Sequence, residues 1–424
     1  MKGRKPEIKK CLTEKNMICT KYSAGMEAYM RKKLLSLVLA AAMVFGMTGC
    51  DSAISSESKS DSSDKSDNIK VGVLLSTTGD FSISETPMKN CAQMAIDEIN
   101  EKGGINGKKI KAIYSDYGSD PSMAAEKAQE LILNDKVCAI VGTNSTSTRL
   151  SVEPIIEKYD NLLVYNTFYE GEKPSDNVLY TNTVPSQQVD GFLPYITKNI
   201  GKKIFFVGSD YEFPKNTISY AKKKLKDLGA ECVGEEYAPS GTTDFASIVN
   251  KIKSAKPDVI FSAVAGNDSV SFYSDCSQYG IDMKKTPICS VACHEGTVKG
   301  IGKAAVGTYS CFNYFNVLGT TESDEFVKKY REKYGTDTTV NNGAESTYTG
   351  VYMLADAIKK AGSTKPADIV KAAAGMEISC PAGKIKMDEK NHHAWLPIYI
   401  GKVNKDLTFD IVSKSDGLVE PVTD

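Results

Sequence analysis

From Ile69 to the C-terminus, short apolar runs alternate with stretches in which apolar residues recur every three or four positions. The run Ile69-Lys70-Val71-Gly72-Val73-Leu74-Leu75 has the length and β-branched content of a buried strand. In the following stretch, 87–100, Met88, Cys91, Met94, Ala95 and Ile99 share one helical face, and Gly103-Gly104 ends it. A strand at 109–114 leads to a helix opened by Pro121, with Ala124, Ala128, Leu131 and Ile132 as its apolar stripe. A strand at 137–141, a helix at 148–159 and a strand at 162–165 follow. The alternation restarts with strands at 203–207, 232–237, 258–264 and 287–291, separated by helices at 216–228, 245–253 and 267–279. Helices at 323–334 and 344–361 precede short strands near 384–387, 397–403 and 407–412.

This order implies right-handed βαβ units and parallel sheets covered on both faces. Two successive runs imply an α/β protein of two doubly wound parallel-sheet lobes joined by crossover strands. Lobe 1 is expected to comprise 69–185 and about 315–362, and lobe 2 186–314 and about 363–424. The C-terminal strand ends, where ligands bind in such sheets, would then face one cleft.

The segment before Ile69 changes the picture from fold to address. Met30-Arg31-Lys32-Lys33 and the apolar stretch after it read as a secretory signal over 30–49. The stretch falls short of the roughly 20 apolar residues that span a bilayer. Its ending, Thr48-Gly49-Cys50, resembles a bacterial lipobox, in which the cysteine is acylated and begins the mature chain. Cys50 is therefore the expected lipidation site, and the expected location is extracytoplasmic, anchored to the bacterial cell membrane. Residues 1–29 read as an upstream extension, and 50–68, mostly Ser, Asp and Lys, as a flexible tether.

With 52 basic and 53 acidic residues and no long block of like charge, the chain has no nucleic-acid face. Eight of its 11 cysteines follow Cys50 at irregular spacing with no CxxC pair, so buried free thiols with at most one disulfide are expected. Cys289, Cys293 and His294 lack the second ligand pair of a metal site. Gly104-Ile105-Asn106-Gly107-Lys108-Lys109 is too short for a phosphate loop and has no hydroxyl after the lysine, so it reads as a turn. No Gly-x-Ser-x-Gly elbow is present, and His392-His393 lies in a late polar segment expected at the surface. No catalytic set, metal or cofactor is expected.

The positive signal is a set of hydroxyl-rich and aromatic loops after strands. Thr143-Asn144-Ser145-Thr146-Ser147-Thr148 offers hydroxyls and helix-start N–H groups to a small polar ligand, where plain capping needs only one such residue. Tyr165-Asn166-Thr167-Phe168-Tyr169-Glu170 places aromatics to sandwich a flat ligand or to pack beneath the loop. Gly208-Ser209-Asp210-Tyr211-Glu212-Phe213-Pro214 combines a turn, an acid and aromatics at the expected cleft.

These loops, with Ile83-Ser84-Glu85-Thr86-Pro87, Tyr169-Glu170-Gly171, Thr243-Asp244-Phe245, Lys253-Ser254-Ala255-Lys256-Pro257-Asp258 and Asn391-His392-His393-x-Trp395-x-Pro397, carry a family resemblance. From about Ile69 to Val412 the chain resembles the urea and short-chain-amide branch of the type I periplasmic solute-binding proteins of ABC importers. The resemblance implies a type I binding-protein fold, a urea or amide ligand and ABC permease partners. It implies ligand contacts at Asn144, Thr146, Tyr165, Thr167, Tyr211 and Phe213, with Asp210 orienting its loop or accepting an N–H bond. Asn144 stands where the branch has an aromatic and Asn166 where it has proline, so the pocket departs from the pattern. An amino-acid receptor is the alternative, with Thr146 serving a carboxylate and Glu295 or Asp210 an ammonium. A sensory ectodomain would use the same fold.

Overall fold

The structure, a computed structural model, describes residues 68–172 and 174–423. The expected signal, Cys50 and nearly all of the tether lie outside these residues.

The first half opens with β1 (Ile69–Leu74), α1 (Ser82–Glu101), β2 (Ile110–Ser115), α2 (Pro121–Leu133), β3 (Ala139–Gly142), α3 (Thr146–Lys158), β4 (Leu163–Tyr165) and β5 (Val178–Tyr180). The strands form one all-parallel sheet in the order β2-β1-β3-β4-β5. β3, β4 and β5 are buried throughout, as strands covered on both faces must be.

α4 (Pro185–Asn199) carries the chain to β6 (Lys203–Ser209), α5 (Glu212–Lys224), β7 (Glu231–Ala238), α6 (Ala246–Ala255), β8 (Val259–Ala263), α7 (Asp268–Gln278), β9 (Ile288–Ser290), α8 (Glu295–Ile301) and β10 (Tyr309–Phe312). The parallel part of this second sheet has the order β7-β6-β8-β9-β10, the same winding as the first. The chain then returns through α9 (Thr321–Tyr334) and α10 (Asn342–Ala361), which pack on α1 in the first half. α10 is fixed at both ends: the Asn341 side chain accepts from the Ala344 amide at 2.7 Å, and Gly362 ends it in the left-handed region.

α11 (Pro366–Ala373) lies against α10 and is followed by β11 (Glu377–Cys380), β12 (Gly383–Met387) and β13 (Ala394–Trp395), a small antiparallel sheet. β14 (Tyr399–Val403), antiparallel to β10, and β15 (Phe409–Lys414), antiparallel to β14, extend the second sheet. Residues 366–395 pack on α10 and β5 in the first half, and only 399–414 join the second sheet.

In each sheet the strand order reverses once, between β1 and β3 and between β6 and β8. Loops at such switch points splay apart and leave a crevice at the carboxyl ends of the strands. The two switch points meet: the Asn267 amide, just after β8, donates to the Asp80 carbonyl, just after β1, at 3.3 Å. Gly266 is needed there, since its φ is +66° and an added Cβ would lie 3.1 Å from the same carbonyl. Three further contacts join the halves. Ser84 Oγ bonds His294 Nε2 at 2.8 Å, Asn216 Nδ2 donates to Glu172 at 2.7 Å, and the Phe168 ring lies 4.8 Å from Phe213.

Three sequence expectations are corrected. The helix expected from residue 87 starts at Ser82, with Pro87 inside it. Proline removes one intrahelical donor, and the rest of the amphipathic face outweighs that loss. His393, expected at the surface, is fully buried, its ring stacked 4.1 Å from Tyr180 and bonded through Nε2 to the Tyr169 hydroxyl. A neutral imidazole between two tyrosines satisfies its polar atoms without water, which a reading of local polarity misses. β5 and β10, of three and four residues, were not among the expected strands, being too short for periodicity to register. All eight cysteines of the described residues are free thiols, and six of them are buried.

Candidate functional site

The loops after β1, β3, β4, β6 and β8 converge where the halves meet, and the expected site residues occupy three of them. Asn144 and Thr146 sit after β3 at the start of α3, Tyr165 and Thr167 at the end of β4 and just beyond it, and Asp210, Tyr211 and Phe213 after β6. Asn144, Thr146, Tyr165, Thr167 and Phe213 are buried, Tyr211 is half-buried and Asp210 is exposed.

The local backbone explains why α3 begins where it does. Gly142 takes φ +128°, and a Cβ there would meet the Leu74 carbonyl oxygen at 2.4 Å. Thr143 and Ser145 also take positive φ, +62° and +67°. Ser145 caps the helix, its hydroxyl accepting from the Thr148 amide at 3.3 Å. Asn144 turns its side-chain oxygen to the Ser145 amide at 2.9 Å, and its own amide donates to the Tyr117 hydroxyl at 3.1 Å.

Two residues outside the expected set dominate the electrostatics. The Arg149 guanidinium is ion-paired to Glu170 and, at 2.5 Å, to Glu153, and it lies 4.8 Å from the centre of the Tyr169 ring. The Arg149 and Glu170 side chains are essentially sealed from solvent. Burial works against the Arg149 charge, and the Glu170 carboxylate more than offsets it, so the guanidinium holds its proton more tightly than usual. The Thr146 hydroxyl donates to the other oxygen of Glu170. One guanidinium thus faces two carboxylates, leaving one negative charge in excess at this end of the loops.

The Tyr165 ring lies 5.9 Å from the ring of Tyr169, on which Arg149 sits, and its hydroxyl is buried without a hydrogen-bond partner among the described residues. Burial raises its hydroxyl pKa, and Arg149 opposes the rise. The Tyr211 hydroxyl is raised too, by burial first and then by the Glu170 and Asp268 carboxylates. A second-half aromatic therefore feels the charge of an acid from each half. Asp268 itself is pushed up to about 6 by burial, eased by the Gly241 amide and pushed further by Asp80. Thr143 Oγ1 is a further buried oxygen left without a partner.

Other expected residues stand apart. Asp210 pairs with Lys215 at 2.5 Å with both side chains about half exposed. Glu295 is buried, and burial pushes its carboxyl up to about 7. One oxygen accepts from the Asn316 amide at 2.8 Å, and the other has no partner among the described residues. Cys289, Cys293 and His294 form no metal group: no cluster of three or more metal-ligating side chains occurs among the described residues. His294 instead accepts from the Thr297 amide at Nδ1, which leaves its Nε2 proton for Ser84. Arg149 and Glu170 were visible in the sequence only as an Arg–Glu pair spaced i,i+4 on a helix and as part of Tyr169-Glu170-Gly171. Neither signal indicates burial.

A groove of about 410 Å³ opens elsewhere, on the outer side of the first half between α1, α9, α10 and β11, lined by Glu98, Phe326, Tyr348, Tyr352, Asp356 and Cys380 among others. It touches none of the strand-end loops. Thr143, Tyr165 and Asn166 hold unpartnered buried oxygens at those loops, and no such group lines the groove, so the loops are the candidate site.

Two switch-point crevices that close on each other around buried polar side chains define a two-lobed receptor. Residues 69–423 match the family model described as periplasmic binding protein domain, and the chain belongs to that family. It is a solute-binding protein of the ABC-transporter class, extracytoplasmic and not an enzyme. Similar proteins include the Leu/Ile/Val-binding protein homolog 6 of Brucella melitensis, 23% identical over 346 residues, covering 80% of this chain and 88% of that protein. The Leu/Ile/Val-binding protein homolog 7 of Brucella suis is 25% identical over 346 residues, covering 76% and 84%. Among solved structures, a solute-binding protein of Rhodopseudomonas palustris in complex with 3,4-dihydroxybenzoic acid matches with a TM-score of 0.76 at 25% identity, covering 84% of this chain and 99% of that one. The branched-chain amino acid binding protein LivJ of Streptococcus pneumoniae in complex with isoleucine matches with a TM-score of 0.71 at 22% identity, covering 82% and 98%.

Proposed function

We propose that this receptor binds urea or a short-chain amide between its lobes and delivers it to an ABC permease, and that Cys50 carries the lipid that holds it at the membrane. The carrying observation is the buried Arg149–Glu170–Glu153 cluster with its excess negative charge. An anionic ligand would approach a carboxylate already seated at the start of α3, where the Thr146 hydroxyl is engaged with Glu170. A neutral amide suits the same place, because its N–H groups find an acceptor in Glu170. Its carbonyl finds a donor in the unpartnered Tyr165 hydroxyl or in Thr143 Oγ1. Tyr211 and Phe168 then cover the flat faces of the ligand.

In this reading Asn144, Thr167 and Phe213 shape the pocket, and Asp210 serves only the surface. Lobe 1 comprises 69–180 with 321–395, and lobe 2 comprises 203–312 with 399–414. The ligands named for the two related structures are a benzoic acid and an amino acid, both carboxylates. That contrast sharpens the claim: the excess negative charge here selects against them. At a ceiling of about −1.5 kcal/mol per heavy atom, a four-atom ligand gains roughly −6 kcal/mol, a Kd on the order of tens of micromolar.

A thermal-shift panel tests the proposal. Urea, formamide or acetamide at millimolar concentration raises the melting temperature, while isoleucine and 4-hydroxybenzoate leave it unchanged. A shift with isoleucine or hydroxybenzoate and none with any amide contradicts it.

A further inference from the structure

We propose that Glu85 is the positioning residue of the ligand loops: one buried carboxylate in the first turn of α1 ties together the loops that follow β1, β2 and β3. Only the ligand-binding arm of its test rests on the amide-receptor reading.

Glu85 is fully buried. Its Oε2 accepts from the Ser76 amide, after β1, at 2.7 Å. The Tyr117 hydroxyl, after β2, lies 2.7 Å from Oε1 and 2.8 Å from Oε2 and donates to the carboxylate. With its proton committed, that hydroxyl turns a lone pair to the Asn144 amide, after β3, which donates to it at 3.1 Å. The Ser76 hydroxyl accepts in turn from the Ser119 amide at 2.8 Å, closing the first loop onto the second. All three loops next to the switch point of the first sheet thus depend on a single side chain.

The loop at the end of this chain of bonds needs such a hold. Thr143 and Ser145 flank Asn144, and both lie in the left-handed half of backbone space, where a residue other than glycine costs about 1–3 kcal/mol. Conformations of that kind persist when the surroundings over-determine them. The bond from the Asn144 amide to Tyr117 is the tie that fixes the peptide between the two strained residues. Thr146, bonded to Glu170, comes directly after. The position of the Glu170–Thr146 acceptor pair relative to Tyr165 is therefore set from behind by Glu85, which itself touches no part of the crevice.

A carboxamide at position 85 has one acceptor oxygen, so its NH₂ would face either the Ser76 N–H or the Tyr117 O–H. Once Tyr117 is free to donate elsewhere, the Asn144 amide loses its acceptor. The experiment is hydrogen exchange resolved at the Asn144 amide in ligand-free protein at about pH 9, above the value of about 8 to which burial raises Glu85, so that the wild type holds a carboxylate there; amide titrations run alongside, on wild type, Glu85→Gln and Tyr117→Phe. We expect about tenfold or faster exchange at Asn144 in both variants, about the worth of one buried hydrogen bond, and about tenfold weaker amide binding. The amides of β1 and α10 should keep wild-type protection, a pattern that general loss of stability would not produce. If Glu85→Gln fails to fold, Tyr117→Phe, which removes one hydroxyl, carries the test. Unchanged Asn144 exchange, or an increase spread evenly over the first half, overturns the proposal. Failure of the amide reading would appear separately, as a wild type that binds no amide.

Discussion

Two ion pairs at strand ends, one in each half, behave in opposite ways. In the first half, after β3 and β4, Arg149 is locked between Glu153 and Glu170 with its side chain 3% exposed. In the second half, after β6, Lys215 pairs with Asp210 at a similar distance, with the two side chains 50% and 44% exposed. The first pair has exchanged water for protein, so each member depends on the others and on Thr146. The second keeps its water and loses side-chain entropy for a screened attraction. In the proposed reading, lobe 1 carries fixed, desolvated polar recognition, and lobe 2 contributes the aromatic cover of Tyr211.

Removing the buried cation should have the largest effect. Arg149→Met leaves Glu170 buried and uncompensated beside the half-buried Glu153 and should destabilise the protein by about 3–5 kcal/mol, read from calorimetric thermal unfolding in the absence of ligand. A loss under about 1 kcal/mol would erase the contrast with the Lys215 pair.

A second test uses pH. His393 is held down to about 3 and His294 to about 4, both by burial. A folded-state pKa below the unfolded one means that the unfolded chain takes up the proton first. The stability of each neutral histidine is therefore present above about pH 6.5 and is lost as pH falls through the window below it. The buried Glu85, raised to about 8, acts in the opposite sense over pH 4.5–8, so only variant-to-wild-type differences are informative. His393→Phe should be less stable than wild type at pH 7, with the gap narrowing by up to about 1.4 kcal/mol per pH unit between pH 6 and pH 4. A constant gap would mean that the imidazole is not held neutral beside Tyr169 and Tyr180.

A smaller effect is expected at Tyr165. Its hydroxyl has no protein partner among the described residues, so Tyr165→Phe should leave stability within about 0.5 kcal/mol of wild type or raise it. The same change should weaken amide binding about tenfold in calorimetry. The smallest effect belongs to the second-half pair: Asp210→Asn should change stability by less than about 1 kcal/mol and affinity by less than about twofold. A large affinity loss there would return Asp210 to the site.

The fold was legible because its signal is periodic. Long helices such as α10 and runs such as β6 repeat their pattern over many residues. The loops were located by their position after each strand, and Tyr165, Thr146 and Tyr211 do gather there. The sequence did not disclose which charges are buried. Arg149 and Glu153 look like an ordinary surface pair, and Glu85 like a first-turn acid matched to a helix dipole. His393 reads as polar because its stacking partners, Tyr169 and Tyr180, lie more than 200 residues away in sequence. Burial of a charge is decided by contacts remote in sequence, and local pattern does not record them.

The central claim is that excess negative charge around Glu170 selects a neutral amide over an anion of the same shape. Acetamide and acetate have the same number of heavy atoms and nearly the same outline, so titrating both into the purified protein at pH 7.5 isolates charge. The account predicts saturable acetamide binding with acetate at least about 100-fold weaker, a difference of roughly 2.7 kcal/mol. Acetate binding as tightly as acetamide, or more tightly, would contradict it.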